Sequence, residues 1–396
     1  MSEPLAGSFA DLEAQKTGSA LGNTTDFPSI DDVQQVKPDA TFSGKCFQAR
    51  SWGRQLLRNA GMVRSRASWC GARLTYKARS VPVYRRPDRP TGRLGNLCVC
   101  GQTLVCPVCA PRVSYVRASE VGTGWGKWNE AGGQAHMITF TAPHRAGSPL
   151  LDEVDFWRGA WSEFGAAGGR SAVEIRKQRV GYMNALEMTH GVNGWHVHRH
   201  LLMLHQGQLD IEAHKRRWME CLGGRYSLAC EKHAFDAKLV DERQIAVYGQ
   251  KIGAEIAGAT VKDSKTPLRL LVDAAATRSA APEWIEAVKV VGVRKLSICR
   301  WSPGLRDFLG MGAEKTDEEI AKDEVVKTDE LLGVLTWGQW RQILARRLEY
   351  QVITEAQHGQ EALDLWLNVH DLGRLHWDDD AYKQFLDSGD ESETEQ

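Results

Sequence analysis

Three histidines occupy every second position in Gly194-Trp195-His196-Val197-His198-Arg199-His200, and an apolar run, Leu201-Leu202-Met203-Leu204, follows directly. A strand has a side-chain period of two, so the pattern reads as a strand with His196, His198 and His200 on one face. Val197, Arg199 and Leu201 then point the other way. With 12 histidines in 396 residues, such alternation is improbable by composition alone, and neutral imidazole is the commonest side-chain metal ligand. The stretch is therefore read as a metal site rather than a histidine-rich surface strand.

The chain is long enough for one large domain or two ordinary ones with a substantial core. Hydrophobic residues at 42% and charged residues at 25% are those of a soluble globular protein. No apolar run approaches membrane-spanning length, and Met1-Ser2-Glu3-Pro4 lacks the basic and apolar regions of a signal peptide. A cytoplasmic protein without a membrane partner is expected. Formal net charge is zero, yet Lys45 to Glu120 holds 15 Lys/Arg against 2 Asp/Glu, whereas Asp378 to Gln396 holds 8 acidic residues and one Lys. This asymmetry points to a nucleic-acid-facing region and an acidic tail.

The organisation follows from local pattern. Residues 1–42 are polar and without periodicity, and are expected to be a disordered leader. A basic region, residues 43–130, carries a helical patch around Trp52 to Met62, a Pro/Arg-rich stretch that cannot be a long helix, a cysteine cluster, and a helix from Pro111 to Glu130. Residues 131–312 hold a strand Ala135–Thr141, an amphipathic helix with Leu151, Val154, Trp157, Trp161 and Phe164, and a strand Gly181–Thr189. The short turn Gly191–Gly194 joins that strand to the histidine strand as an antiparallel hairpin. A helix Ile211–Leu222, a strand Phe235–Val240 and a helix from Glu242 to about Ala257, capped by Asp241, complete the order β, α, β, β, α, β, α. That order implies an α+β fold, an antiparallel central sheet with helices packed on one side. Residues 313–376 are expected to be largely helical from Leu332 to Leu372, with Trp337, Trp340, Ile343 and Leu344 as a core stripe, and 377–396 to be a disordered tail.

Chemistry gathers around the hairpin. Glu187 lies roughly opposite the first histidines across the turn, so it can meet them on one face. A carboxylate with two imidazoles leaves open positions on a divalent ion such as Mg²⁺ or Mn²⁺, as an ion must have to bind a phosphate oxygen. Tyr248 and Lys251, at i and i+3, share a helix face. A tyrosyl oxygen is a nucleophile when a cation or metal supports it. Separately, four of nine cysteines fall between Cys98 and Cys109. Cys98, Cys100, Cys106 and Cys109 are read as a structural zinc site, with Cys106-Pro107-Val108-Cys109 as its knuckle. Cys98 and Cys100 are too close for an ideal pair, so Cys70 is the alternative fourth ligand. Arg64, Arg66, Arg85, Arg86 and Arg93 are expected phosphate contacts.

Taken together, roughly residues 65 to 312 resemble the replication initiators of rolling-circle plasmids, members of the HUH endonuclease superfamily, and in particular relatives from actinobacterial-type plasmids. Ile138-Thr139-Phe140-Thr141 is similar to the family's first motif, Gly194 to His200 to its metal motif, and Tyr248-Gly249-Gln250-Lys251 to its Tyr-x-x-Lys motif. Cys106 to Ala110, Ala185 to Gly191 and Leu296 to Arg306 also look like stretches of such initiators. The resemblance implies binding of a double-strand plasmid origin with a single-stranded nick site. It further implies attack by Tyr248 on a phosphate held at the metal, a 5′-phosphotyrosine with a free 3′-OH, and later rejoining of the displaced strand. Lys251 would orient the tyrosine or neutralise developing charge, and host helicase and polymerase are the expected partners. No P-loop is present, and no nucleotide cofactor is implied.

Two features depart from the family pattern. Arg199 stands between His198 and His200 where a bulky apolar residue is normal, which leaves His196 and His198 as an alternative ligand pair. Ile252 follows Lys251, so no second tyrosine adjoins the first; Glu242 and Glu255 are candidates to activate water in the closing step, and Tyr226 is the next candidate nucleophile. An HUH relaxase or single-strand transposase is the alternative within the same chemistry. A zinc-stabilised DNA-binding repressor is the non-enzymatic one.

Overall fold

The computed structural model of the protein describes residues 40–165, 170–227, 231–240, 264–322 and 328–377. Its strands are β1 (Ser80–Arg85), β2 (Arg93–Leu94), β3 (Gln134–Thr141), β4 (Arg179–Gly191), β5 (Gly194–His205), β6 (Phe235–Leu239), β7 (Cys299–Trp301) and β8 (Glu330–Thr336). They form a five-stranded sheet in the order β6-β3-β5-β4-β7 and a three-stranded sheet in the order β2-β1-β8. All pairings are antiparallel. The α+β class with an antiparallel sheet and flanking helices is the one the sequence pattern requires.

Alternation decides what each face of the larger sheet does. Ile138 and Phe140 of β3, with Trp195, Val197, Leu201 and Met203 of β5, are buried on one face. The helices Leu150–Gly165 and Ile211–Leu222 cover it. Phe140 is the hub: its ring meets Trp161, Phe164, Trp218 and Phe235 edge-on at 5.0–5.4 Å. Edge-to-face pairs of this kind add about 0.5–1.5 kcal/mol each beyond the burial of their area. The second helix begins where Asp210 accepts a hydrogen bond from the Ala213 amide at 2.9 Å, and it spans the expected residues.

Cover on the histidine face was not foreseen. Thr103 and Leu104 from the cysteine-rich loop, and Thr266, Pro267 and Leu268 at the start of the helix Pro267–Thr277, line a small cavity with Glu187 and His200. The sheet is thus packed on both faces, not on one.

The smaller sheet joins parts of the chain that are far apart in sequence. Val81 and Val83 of β1, Leu332 and Leu335 of β8, and Trp340, Ile343, Leu363 and Leu367 from the following helices form a separate buried core. Leu332 to Thr336 is therefore strand, where a helix was expected. The run Leu331-Leu332-Gly333-Val334-Leu335 has no helical period to mark it, and its partner lies some 250 residues upstream in a pairing that local pattern does not encode. Trp337, expected in the core stripe, is 37% exposed, while Trp340 and Ile343 are fully buried. Pro82 is tolerated in the middle strand because the ladder with β2 is confined to Val83 and Tyr84, and at Pro82 itself only the carbonyl is used, accepting from the Gly95 amide at 2.8 Å.

The N-terminal helix Ala40–Asn59 ties the two halves together. Glu349, 1% exposed, accepts from Arg50 at 3.5 Å and pairs with Arg54. Of the expected leader, residues 1–39 lie outside the described residues; so do residues 378–396 of the expected tail. Among the described residues, no helix is long and apolar enough to cross a membrane.

Candidate metal centres

The hairpin register places the first centre. Glu187 is paired with His198, Ala185 with His200 and Thr189 with His196 across β4 and β5, while Thr139 and Thr141 of β3 stand beside His200 and His198. All of these share one face. Glu187 Oε2 lies 2.6 Å from His198 Nε2 and 3.2 Å from His200 Nε2. One ligand atom from each of the three residues falls within 4.8 Å of the others, and all three side chains are buried. Glu187 Oε1 and His198 Nδ1 are buried with no hydrogen-bond partner among the described residues. An unsatisfied buried carboxylate oxygen is costly, and a cation held at this face would satisfy it. The donor set fits a divalent ion with positions left open.

Electrostatics here favours the ionised carboxylate. Burial by itself raises the Glu187 carboxyl, but the charges and hydrogen bonds of His198 and His200 outweigh it and hold the group well below the usual carboxylate range. His196 stands apart from the trio. Its ring lies 4.9 Å from that of His198 and 5.1 Å from that of His144, and among the described residues no carboxylate ligand atom groups with it.

Thr139 gives the first motif a physical role. Its hydroxyl lies 2.9 Å from His200 Nδ1, which leaves Nε2 facing Glu187. Such outer partners fix the ring and tautomer of a metal-ligating histidine. Thr139→Val is expected to keep the fold and to weaken divalent-ion binding by about 10–100-fold, measured by calorimetric titration with Mn²⁺; unchanged affinity would remove Thr139 from this role.

Arg199, the departure in the motif, is accommodated on the opposite face. Its guanidinium sits 4.6 Å from the centroid of Trp157 and donates to Asn184 Oδ1 at 2.8 Å. Burial, helped by the nearby Arg300, lowers its pKa to about 10. A cation over an indole inside an apolar layer takes the place of an apolar side chain. Because Arg199 points away, it does not disturb the His198/His200 pair.

Tyr248, Lys251, Glu242 and Glu255 lie outside the described residues. Tyr226 is 39% exposed, and its hydroxyl donates to Glu231 Oε2 at 3.3 Å.

The second centre differs from the expected set by one residue. Cys70, Cys100, Cys106 and Cys109 come together, all buried, with their sulfurs within 4.8 Å of one another. The closest separations are 3.6, 3.7 and 3.8 Å. A tetrahedral ion with sulfur ligands at about 2.3 Å sets them about 3.8 Å apart, so the thiols are already at ligand spacing. Cys98 is left out, because a strand-like bridge at Leu97 turns its thiol toward the Leu74 carbonyl at 3.2 Å. Cys70 takes the fourth place from the end of the short helix Arg66–Trp69. Two of these cysteines, Cys70 and Cys100, are followed by glycine in left-handed backbone, Gly71 at φ +67° and Gly101 at φ +58°. A Cβ on Gly101 would stand 2.7 Å from the Glu318 backbone, so the turn admits no side chain.

The thiols of this cluster do not shift alike: hydrogen bonding among them moves Cys70 down but leaves Cys100 and Cys109 well above the usual thiol range. Burial works against the Arg50 cation, but Cys70 and then Glu349 outweigh it. Hydrogen bonds from Cys100, Cys106 and Cys109 hold Cys70 well below the usual thiol range.

Comparison with known proteins places these features in context. Over 140 residues the chain is 31% identical to "Protein rep" of Streptomyces lividans, covering 28% of this chain and 31% of that protein. Over 149 residues it is 28% identical to "Neomycin resistance protein" of Streptomyces cyanogenus, covering 31% of this chain and 34% of that protein. The chain spans about a third of the length of these curated relatives. No family model and no solved structure matches.

The five arginines expected to contact phosphate separate by environment. Arg64 is exposed. Arg66 and Arg85 are exposed but paired with Glu318 and Glu330. Arg86 is half-buried and donates to the Thr91 carbonyl. Arg93 is 5% exposed, 3.6 Å from Asp329 and packed over Tyr84, so it belongs to the core of the small sheet and is withdrawn from the contact set. Asp329 is too distant in sequence for that burial to have been read from pattern.

Proposed function

We propose that the chain is a plasmid rolling-circle replication initiator, a nicking and closing enzyme acting on one strand of a double-strand origin. One observation carries the reading: Glu187, His198 and His200 converge, buried, on one face of an antiparallel sheet. The partial likeness to a protein named "Protein rep" supports it. Held by these three residues, Mg²⁺ or Mn²⁺ would supply Lewis-acid polarisation of the scissile phosphate.

Tyr248 is the nucleophile in this scheme. Its phenolic oxygen forms a bond to phosphorus as the bond from phosphorus to the 3′ oxygen breaks. The tyrosine loses its proton, and the 3′ oxygen leaves as a hydroxyl able to prime synthesis. Lys251, three residues on, orients the phenol or offsets developing charge. Thr139 keeps His200 in the ligating tautomer. Reversal by the released strand end conserves the phosphodiester energy, so no nucleotide is consumed. Cys70, Cys100, Cys106 and Cys109 hold structural zinc that stiffens the basic region. Origin DNA, host helicase and host polymerase are the partners, and the cytoplasm is the location.

The test is a supercoiled plasmid carrying the cognate origin, incubated with Mn²⁺ or Mg²⁺ and then treated with protease. Relaxed circles with peptide on the 5′ end are expected from the wild type, and Tyr248→Phe should bind the origin but leave no adduct. A persistent adduct in that variant would move the nucleophile, with Tyr226 next. Origin binding with supercoils intact under every ion would favour the repressor instead.

A further inference from the structure

A groove of about 580 Å³ lies between the helix Ala40–Asn59 and the helix Trp337–Arg346. Neither is part of the larger sheet or of the Glu187 centre. Arg54 and Arg58, at i and i+4, line one wall; Trp337, Arg341 and Leu344, at i, i+4 and i+7, line the other. Trp69 and Arg73, on the segment that carries Cys70, also line the groove. Arg54 is engaged by Glu349, but Arg58, Arg73 and Arg341 are exposed and have no ion pair among the described residues. Among the described residues, no carboxylate lines the groove. Such a site has an excess of positive charge and two indoles, one of them 37% exposed at the rim.

We propose that this groove binds single-stranded DNA, its arginines meeting the phosphates and Trp337 and Trp69 stacking on bases. Exposed arginines without carboxylates select a polyanion. The indoles narrow the choice. A duplex hides its base faces by stacking, whereas unpaired bases stack on aromatic side chains regardless of sequence. The helices Ala40–Asn59 and Trp337–Arg346 then hold a strand at a place separate from the metal-bearing face. The reading of the chain as a DNA-processing protein decides only which polyanion is meant.

The test uses the full chain as Tyr248→Phe with no added divalent ion, so that no nicking is involved and a failed nicking assay leaves this result interpretable. Fluorescence anisotropy with labelled oligothymidylate is the readout. Arg58→Ala with Arg341→Ala is expected to weaken binding at least about tenfold, and to reduce the salt slope by roughly 1.4, from about 0.7 for each lost phosphate contact on a single strand. Trp337→Ala should weaken binding roughly tenfold; Arg216→Ala, an exposed arginine elsewhere, should not. Affinity unchanged in the double variant, with circular dichroism unchanged, would overturn the proposal. So would duplex binding with the same dependence on Trp337.

Discussion

His200→Ala is expected to abolish metal-dependent nicking, whereas His196→Ala keeps it. Both rings lie on the same strand face, but only His200 reaches the carboxylate, with Nε2 3.2 Å from Glu187 Oε2. His200 is 5% exposed and Glu187 6%, so water does not readily replace a deleted imidazole. Loss of an outer partner of a metal ligand already costs about 10–100-fold, and loss of the ligand itself should cost at least about 100-fold in nicking rate. Calorimetric titration with Mn²⁺ and the supercoil assay check both halves. Full activity in His200→Ala together with loss in His196→Ala would place the ion on the His196/His198 pair.

Cys70→Ser should unfold more of the molecule than any other single cysteine change outside Cys100, Cys106 and Cys109. The thiol is fully buried at 3.6–3.7 Å from Cys109 and Cys106. Its loss removes a ligand and leaves Arg50 facing an uncharged hydroxyl. Structural zinc contributes apparent binding energies of about 10–16 kcal/mol in small domains; a loss of about 4 kcal/mol in a chain of this length corresponds to a fall in Tm of roughly 5 °C. Cys98→Ser, by contrast, should retain one zinc per chain and a near-native Tm. Metal analysis with thermal denaturation separates the two, and zinc retained in Cys70→Ser but lost in Cys98→Ser would restore the set Cys98, Cys100, Cys106 and Cys109.

What could be read in advance was what local period encodes. Alternation set the face of His196, His198 and His200, and a short glycine-bounded turn set the register that brings Glu187 to His198. Residues whose partners lie far along the chain were less legible. Cys70 stands 30 residues before Cys100, although the repeated Cys-Gly dipeptide at Cys70-Gly71 and Cys100-Gly101 is a signal that marks both as turn-borne ligands. Arg93 looked like any surface cation until Asp329 was seen beside it. Arg199 looked misplaced because nothing in the linear pattern puts Trp157 over it.

The pairing of β1 with β8 also sets an order on synthesis. Ser80 must wait for Thr336, and at about 5–20 residues per second the ribosome takes roughly 12–50 s to deliver it. Through that interval Val81 and Val83 are without the apolar layer that later buries them, while the five-stranded sheet can already assemble from residues up to Trp301. Slow elongation late in the message therefore prolongs a state with an unsatisfied strand, one open to pairing with another nascent chain. Chaperone dependence during translation should track the arrival of the last strand and not that of the metal-bearing hairpin.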